Sequence, residues 1–256
     1  MTVFINQFHG LRAQCLAEST KDFLARGKSV VRCDICQMGV FACMCAWRPT
    51  LLSSCEFILL MHRIEVFKPT NTGRLIADVL PQKTHVFCWS RAEPSQELLA
   101  LLNDEKRQCF IVFPSTKELD VKDGKDEKVK RKVFHVIPRN EKVPTFILLD
   151  GTWKQSSRMF HLSRWLDEIA CVSISDAVLR DYVKGYALRK SHQENYLATA
   201  EAGALCLQIA GEQKNCDVLL NYFQLFNRHY LATRACCPPE IGSLHELLKN
   251  SLLENA

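Results

Sequence analysis

Four consecutive apolar residues, Phe146-Ile147-Leu148-Leu149, follow Pro144 and run straight into Asp150-Gly151-Thr152-Trp153. That length and flank suit a fully buried strand. Gly151 permits a sharp turn, and Thr152 can cap a helix over about Trp153 to Trp165, where Met159, Leu162 and Leu166 recur at helical spacing. A buried strand that hands over at once to a helix belongs to a parallel sheet with helical crossovers. It sets Asp150 at the C-terminal edge of its strand beside a helix N-terminus, where open α/β sheets place ligand sites. Helix capping is the competing job for that carboxylate, and spacing does not choose between them.

The rest of the chain repeats the pattern. Strands are predicted at Cys55 to His62, Val86 to Trp89, Cys109 to Phe113 and Ile169 to Ser175. A short helix capped by Thr70 or Asn71 should run through Leu80, and another should cover Ser95 to Asn103. Helices should also cover Leu11 to Arg26 (Leu16, Phe23 and Leu24 inward, Gly27 ending it), Leu197 to about Gly211, Asp217 to Tyr230 and Leu244 to Leu253. The expected fold class is α/β, with a mostly parallel sheet flanked by helices. Residues 117–132 are dense in charge and nearly free of large apolar residues, as in a surface insertion, and Lys128 to Lys132 form a short basic run. No Gly-x-Gly-x-x-Gly is present, so a Rossmann nucleotide site is unsupported.

With 256 residues of which 47% are hydrophobic, the chain can build a large core. No run approaches the ~18 apolar residues of a membrane span. Met1 to Gly10 lacks the order of a secretion signal, so a cytoplasmic location and no membrane partner are expected. A net charge of +5 is compatible with nucleic acid without demanding it. Thirteen cysteines, an odd and scattered set, argue against a disulfide framework. Cys55, Cys88, Cys109, Cys171 and Cys206 lie in apolar runs and read as small core residues.

Cys33, Cys36, Cys43 and Cys45 are different. Their spacing, C-x2-C-x6-C-x-C, brings two thiolates onto one turn and two more close behind, with Gly39 letting the chain fold back. Four thiolates make a closed tetrahedral structural site with no open catalytic position. Zinc is the expected ion, and an iron–sulfur cluster would use the same ligands.

Five blocks together resemble the DTW-domain family, tRNA-uridine aminocarboxypropyltransferases related to the knotted SPOUT methyltransferases. They are the cysteine cluster; His62-Arg63-Ile64-Glu65 with Lys68 and Thr70-Asn71-Thr72-Gly73; Asp150-Gly151-Thr152-Trp153; Tyr186-Ala187-Leu188-Arg189-Lys190; and Thr199-Ala200-Glu201-Ala202. The resemblance implies a SPOUT-like, knotted sheet behind a small N-terminal zinc-binding lobe. It implies transfer of the 3-amino-3-carboxypropyl group of S-adenosylmethionine to N3 of a tRNA uridine, giving acp3U and methylthioadenosine. Asp150, Thr152 and Trp153 would be catalytic, with Asp150 taking the N3 proton. Pro114, Ser115, Gly151, Tyr186, Leu188, Thr199 and Glu201 would hold S-adenosylmethionine. Arg63, Lys68, Asn71, Thr72, Arg189 and Lys190 would meet tRNA.

Three segments are expected: 1–50 with the N-terminal helix and metal site, 51–235 as catalytic domain, and 236–256 as a helical extension. Two other functions compete: a SPOUT-type RNA methyltransferase, and a non-catalytic zinc protein that binds RNA. The sequence leaves open which uridine is modified and the oligomeric state.

Overall fold

The computed structural model describes residues 5–20, 29–113, 132–138, 140–175, 178–179 and 197–253. Six strands, β1 (Glu56–Met61), β2 (Thr84–Cys88), β3 (Arg107–Val112), β4 (Val133–Phe134), β5 (Val143–Asp150) and β6 (Cys171–Val172), form one sheet in the order β2-β1-β5-β3-β6-β4. Every pairing is parallel. β1 and β5 sit inside the sheet, and their register places Met61 opposite Asp150. Because helices cover both faces, their inner residues are apolar without alternation.

Alternate side chains go to opposite faces. On the first face Phe57, Leu59, Met61, Phe146 and Leu148 share a core with Leu75, Ile76 and Val79 of α2 (Arg74–Val79). Ala200 and Ala204 of α5 (Thr199–Ile209), and Leu219, Tyr222 and Phe226 of α6 (Gln213–Ala235), complete it. On the second face Ile58, Leu60, Ile147 and Leu149 pack with Leu98 of α3 (Gln96–Leu102) and with Met159 and Phe160 of α4 (Trp153–Leu162). A last helix, α7 (Ser243–Leu253), follows.

The N-terminal helix departs from expectation. It is α1 (Gln7–Ala17), capped by Asn6, whose side chain accepts from the His9 backbone N–H while His9 Nδ1 accepts from the Asn6 N–H. This reciprocal pair fixes the start four residues earlier than apolar periodicity suggested. Its buried residues are Phe8 and Cys15, whereas Leu16 is largely exposed. Phe8 and Cys15, with Cys36, Met38 and Met44 of the cysteine segment, belong to the same core as the first sheet face. The strand expected over Ile169 to Ser175 is only Cys171–Val172. The insertion 117–132 falls almost wholly outside the described residues, as does most of the path between 175 and 197 on which the expected knot depends.

Candidate functional site at the sheet edge

Asp150 ends β5 on the first face and is almost fully buried. Its Oδ2 accepts from Asn71 Nδ2 at 2.6 Å, and its Oδ1 accepts from the Thr199 hydroxyl at 2.6 Å. Asn71 is fixed in turn, because its Oδ1 accepts the Arg74 backbone N–H that opens α2. The Ala200 N–H reaches Thr72 Oγ1 at 3.5 Å, drawing the start of α5 onto the same turn. Gly73 closes the lid. A Cβ there would stand 2.5 Å from Asp150 Oδ2, so no larger residue fits without displacing the carboxylate. Burial pushes the Asp150 carboxyl up to about 6, opposed by the hydrogen bonds from Asn71 and Thr199. It is therefore ionised at neutral pH yet close to taking up a proton.

The second face of the same edge is built differently. His62 follows β1, and its backbone N–H donates to the Asp150 carbonyl at 2.9 Å, so the two residues are neighbours whose side chains leave on opposite faces. The His62 ring lies nearly parallel to Trp89, with centroids 6.4 Å apart and planes at 19°. Trp89 Nε1 is anchored on Ser163 Oγ at 2.8 Å. Thr152 caps α4, and the Gln155 side-chain oxygen accepts from both the Thr152 N–H and its hydroxyl at 2.8 Å. The Gln155 amide nitrogen then lies 3.2 Å from His62 Nδ1. Trp153 stacks on Phe113, which stacks on Phe160 at 4.1 Å, and Trp153 remains 37% exposed. Burial, with Lys68 and Arg158 nearby, lowers the His62 pKa against the pull of Glu65, so the ring is neutral at pH 7.

The four cysteines meet as their spacing predicts. Their Sγ atoms lie within 4.8 Å of one another, with Cys33 to Cys45 at 3.8 Å and Cys36 to Cys43 at 3.7 Å. Zn–S bonds of about 2.3 Å in a tetrahedron require sulfurs about 3.8 Å apart, so this set fits such an ion. Four thiols this close cannot all ionise without a cation. Contact with the Cys36 and Cys45 sulfurs pulls Cys43 down, and contact with Cys36 and Cys43 pushes Cys45 up.

Inside the first cysteine pair, the Ile35 carbonyl is reached by His9 Nε2 at 3.3 Å and by Arg74 Nη1 at 3.5 Å. Arg74, 1% exposed, also donates to the Asn71 and Pro69 carbonyls and lies over the Phe226 ring. The turn of the first cysteine pair and the turn over Asp150 thus share one guanidinium.

Of the expected site residues, Asp150, Gly151, Thr152, Trp153, Asn71, Thr72 and Thr199 converge on this edge. Asn71, expected to meet RNA, is buried and forms the roof over Asp150. The Glu201 carboxylate accepts from the Ala198 N–H at 2.6 Å in the first turn of α5. Lys68 pairs with Glu65 at 2.5 Å, and Arg63 pairs with Glu18 at 2.8 Å on the surface. Pro114, Ser115, Tyr186, Leu188, Arg189 and Lys190 lie outside the described residues. Sequence reasoning missed His62, Gln155 and Trp89. The available signals were that His62 ends a buried strand and opens the His62-Arg63-Ile64-Glu65 block, though neither attaches a role to it.

A family model described as DTW domain matches residues 30–231, most of the chain. The matched span begins just before the first cysteine and includes both faces of the edge. No solved structure matches the chain. Among the described residues no helix is long and apolar enough to cross a membrane.

Proposed function

The chain belongs to the DTW domain family, which is linked to tRNA modification, and on that premise we propose that it transfers the aminocarboxypropyl group of S-adenosylmethionine to N3 of a tRNA uridine. The observation that carries this reading is the buried Asp150, held near pKa 6 at the C-terminal edge of a central parallel strand. A base for the uracil N3–H must be ionised at neutral pH yet able to accept a proton, and Asp150 meets both conditions. Thr199 is only half-buried, and its hydroxyl donates to Asp150, so it is the route to a carboxylate that is itself covered.

S-adenosylmethionine at this edge would supply an electrophilic methylene beside its sulfonium. Thr199 passes its proton to Asp150 as it receives the one from N3. N3 bonds to the methylene as the carbon–sulfur bond breaks, and its electron pair remains on sulfur in methylthioadenosine. Asn71, Gly73 and Arg74 hold the carboxylate in place throughout, which is a positioning task. The exposed side of Trp153 offers a stacking surface for a base. Arg63, Lys68, Arg189 and Lys190 are the proposed tRNA contacts. In this reading zinc fills the four-cysteine site as a structural ion.

Nucleoside mass spectrometry of tRNA incubated with the protein and S-adenosylmethionine tests the function. A uridine carrying the aminocarboxypropyl mass is expected. A methyl gain would mean a methyltransferase. No modification alongside tight tRNA binding would mean a binding protein.

A further inference from the structure

The hydrogen-bond pattern around His62 fixes where its proton resides. The Thr152 backbone N–H can only donate, so the Gln155 atom it contacts at 2.8 Å is the amide oxygen. The other end of that amide, which faces His62 Nδ1 at 3.2 Å, is therefore the NH2 group. The Ile64 N–H approaches the same Nδ1 at 3.4 Å. With two donors aimed at it, Nδ1 must be the lone-pair nitrogen, and the proton of the neutral ring is on Nε2. Protonating Nδ1 would set N–H against N–H, so the pattern also opposes the cationic form. The parallel Trp89 ring, tethered to Ser163, restrains rotation of the imidazole. Among the described residues no hydrogen bond engages Nε2, and His62 is only half-buried.

We propose that His62 is a catalytic residue whose Nε2–H donates to a carbonyl oxygen, O2 or O4, of the uracil being alkylated. The assignment rests on the transferase function proposed above. As N3 gives up its proton, negative charge spreads to the two flanking carbonyl oxygens. A fixed neutral donor stabilises that charge without delivering its own proton, and it needs no reorganisation as the charge forms. A ring with Nδ1 occupied and Nε2 protonated cannot serve as the base, which leaves proton uptake to the Asp150 side. The backbone bond between His62 and Asp150 sets the two groups on either side of one strand end. In the proposed complex a planar base at this edge turns N3–H to the Thr199 hydroxyl, the route to the covered Asp150, and an adjacent carbonyl to His62 Nε2.

Two measurements test this. Imidazole 15N spectra of the wild-type protein at neutral pH should show His62 neutral, with Nε2 protonated and Nδ1 bare. In His62→Phe, kcat for tRNA modification should fall by about 10²–10³-fold, as for loss of one oxyanion donor, with tRNA affinity within a few fold. His62→Gln, whose amide nitrogen can reach near the Nε2 position, should recover part of the loss. If the Phe variant does not fold, Gln155→Leu carries the test: it leaves His62 in place and removes the shorter of the two donors to Nδ1, leaving only the Ile64 N–H at 3.4 Å, so a mixed tautomer and lowered kcat are expected. A wild-type ring that is cationic or protonated on Nδ1 overturns the assignment, as does turnover in His62→Phe within about threefold of wild type. Absence of aminocarboxypropyl product from the wild type would overturn the transferase reading itself, and this assignment with it, while the tautomer would stand as a structural fact.

Discussion

The two sides of the sheet edge use polar groups in opposite ways. On the Asp150 side, both carboxylate oxygens are engaged by Asn71 and Thr199, Gly73 leaves no space above, and Arg74, which braces the Asn71 turn, is buried among carbonyls. On the His62 side, the polar atoms are ordered from behind, by Thr152 through Gln155, while Trp153 and the imidazole remain partly open. A closed side can hold an unusual pKa, because water is kept away from the carboxylate. An open side can meet a ligand, because its donors are oriented without being consumed. The proposed reaction needs both, with tuning on one face and recognition on the other.

Removing the zinc proposed for the four cysteines should break the closed side most severely. Structural zinc contributes on the order of 10 kcal/mol in small metal-folded peptides, and here its loss should loosen the Ile35 carbonyl on which Arg74 rests. Chelation should sharply lower the melting temperature, with one equivalent of ion released. Protein that carries no metal as prepared and melts unchanged in chelator would remove the ion from the account.

Next in size is Asp150→Asn. Asn keeps the shape but cannot take the proton, so turnover should fall about 10²–10⁴-fold with cofactor and tRNA affinity retained. The wild-type rate should rise with pH through an ionisation near 6, and that limb should vanish in the variant. Stability should move the other way. The Asp150 carboxyl goes from an ordinary 3.8 to about 6 on folding, so between those values the native state holds a proton that the unfolded chain has lost. Its contribution to stability therefore falls as pH rises across that window, by up to about 3 kcal/mol. Calorimetry of wild type against Asp150→Asn from pH 4 to 7 reads this difference directly. Nearly normal turnover in the Asn variant would confine Asp150 to holding the roof.

Gly73→Ala should cost about 1–3 kcal/mol by forcing Asp150 or its roof to shift, and it should disturb the acid limb more than tRNA binding. Thr152→Ala probes the open side. Loss of the helix cap should cost about 1 kcal/mol, and Gln155 should lose one of its two tethers, leaving the metal site intact. Equal sensitivity of the pH limb to both substitutions would erase the distinction between the faces. The smallest effect expected is for Arg63→Ala. An exposed phosphate contact should weaken tRNA binding slightly and shallow the log–log salt slope by about one unit or less.

The features legible in the sequence were those written over short spans. The buried run into Asp150, the Thr152 cap and the four cysteines are each contained within about a dozen residues, and local pattern rules reach that far. What closes over Asp150 is not local. Asn71 is 79 residues away and Thr199 is 49, while Gln155 stands 93 residues from His62. Only the strand order brings these partners together. Among the basic residues around the Thr-Asn-Thr-Gly turn, Arg74 is internal, satisfied by carbonyls and by Phe226, which no local pattern announces. The early start of α1 was missed for another reason: its reciprocal cap uses His9 where pattern rules look for Glu or Gln.

The position of Arg74 bears on modularity. Its acceptors come from two stretches, Ile35 in the cysteine segment and Pro69 with Asn71 over the site, so the guanidinium is fully accommodated only when both are present. A fragment cut at residue 50 would bury a cation short of an acceptor and uncover the apolar patch now filled by Phe8, Met38 and Met44. The cysteine segment is an interlock and not a cassette. Exchange of lobes between relatives, in evolution or at the bench, would have to carry both stretches together, and the matched span from residue 30 to 231 already includes both.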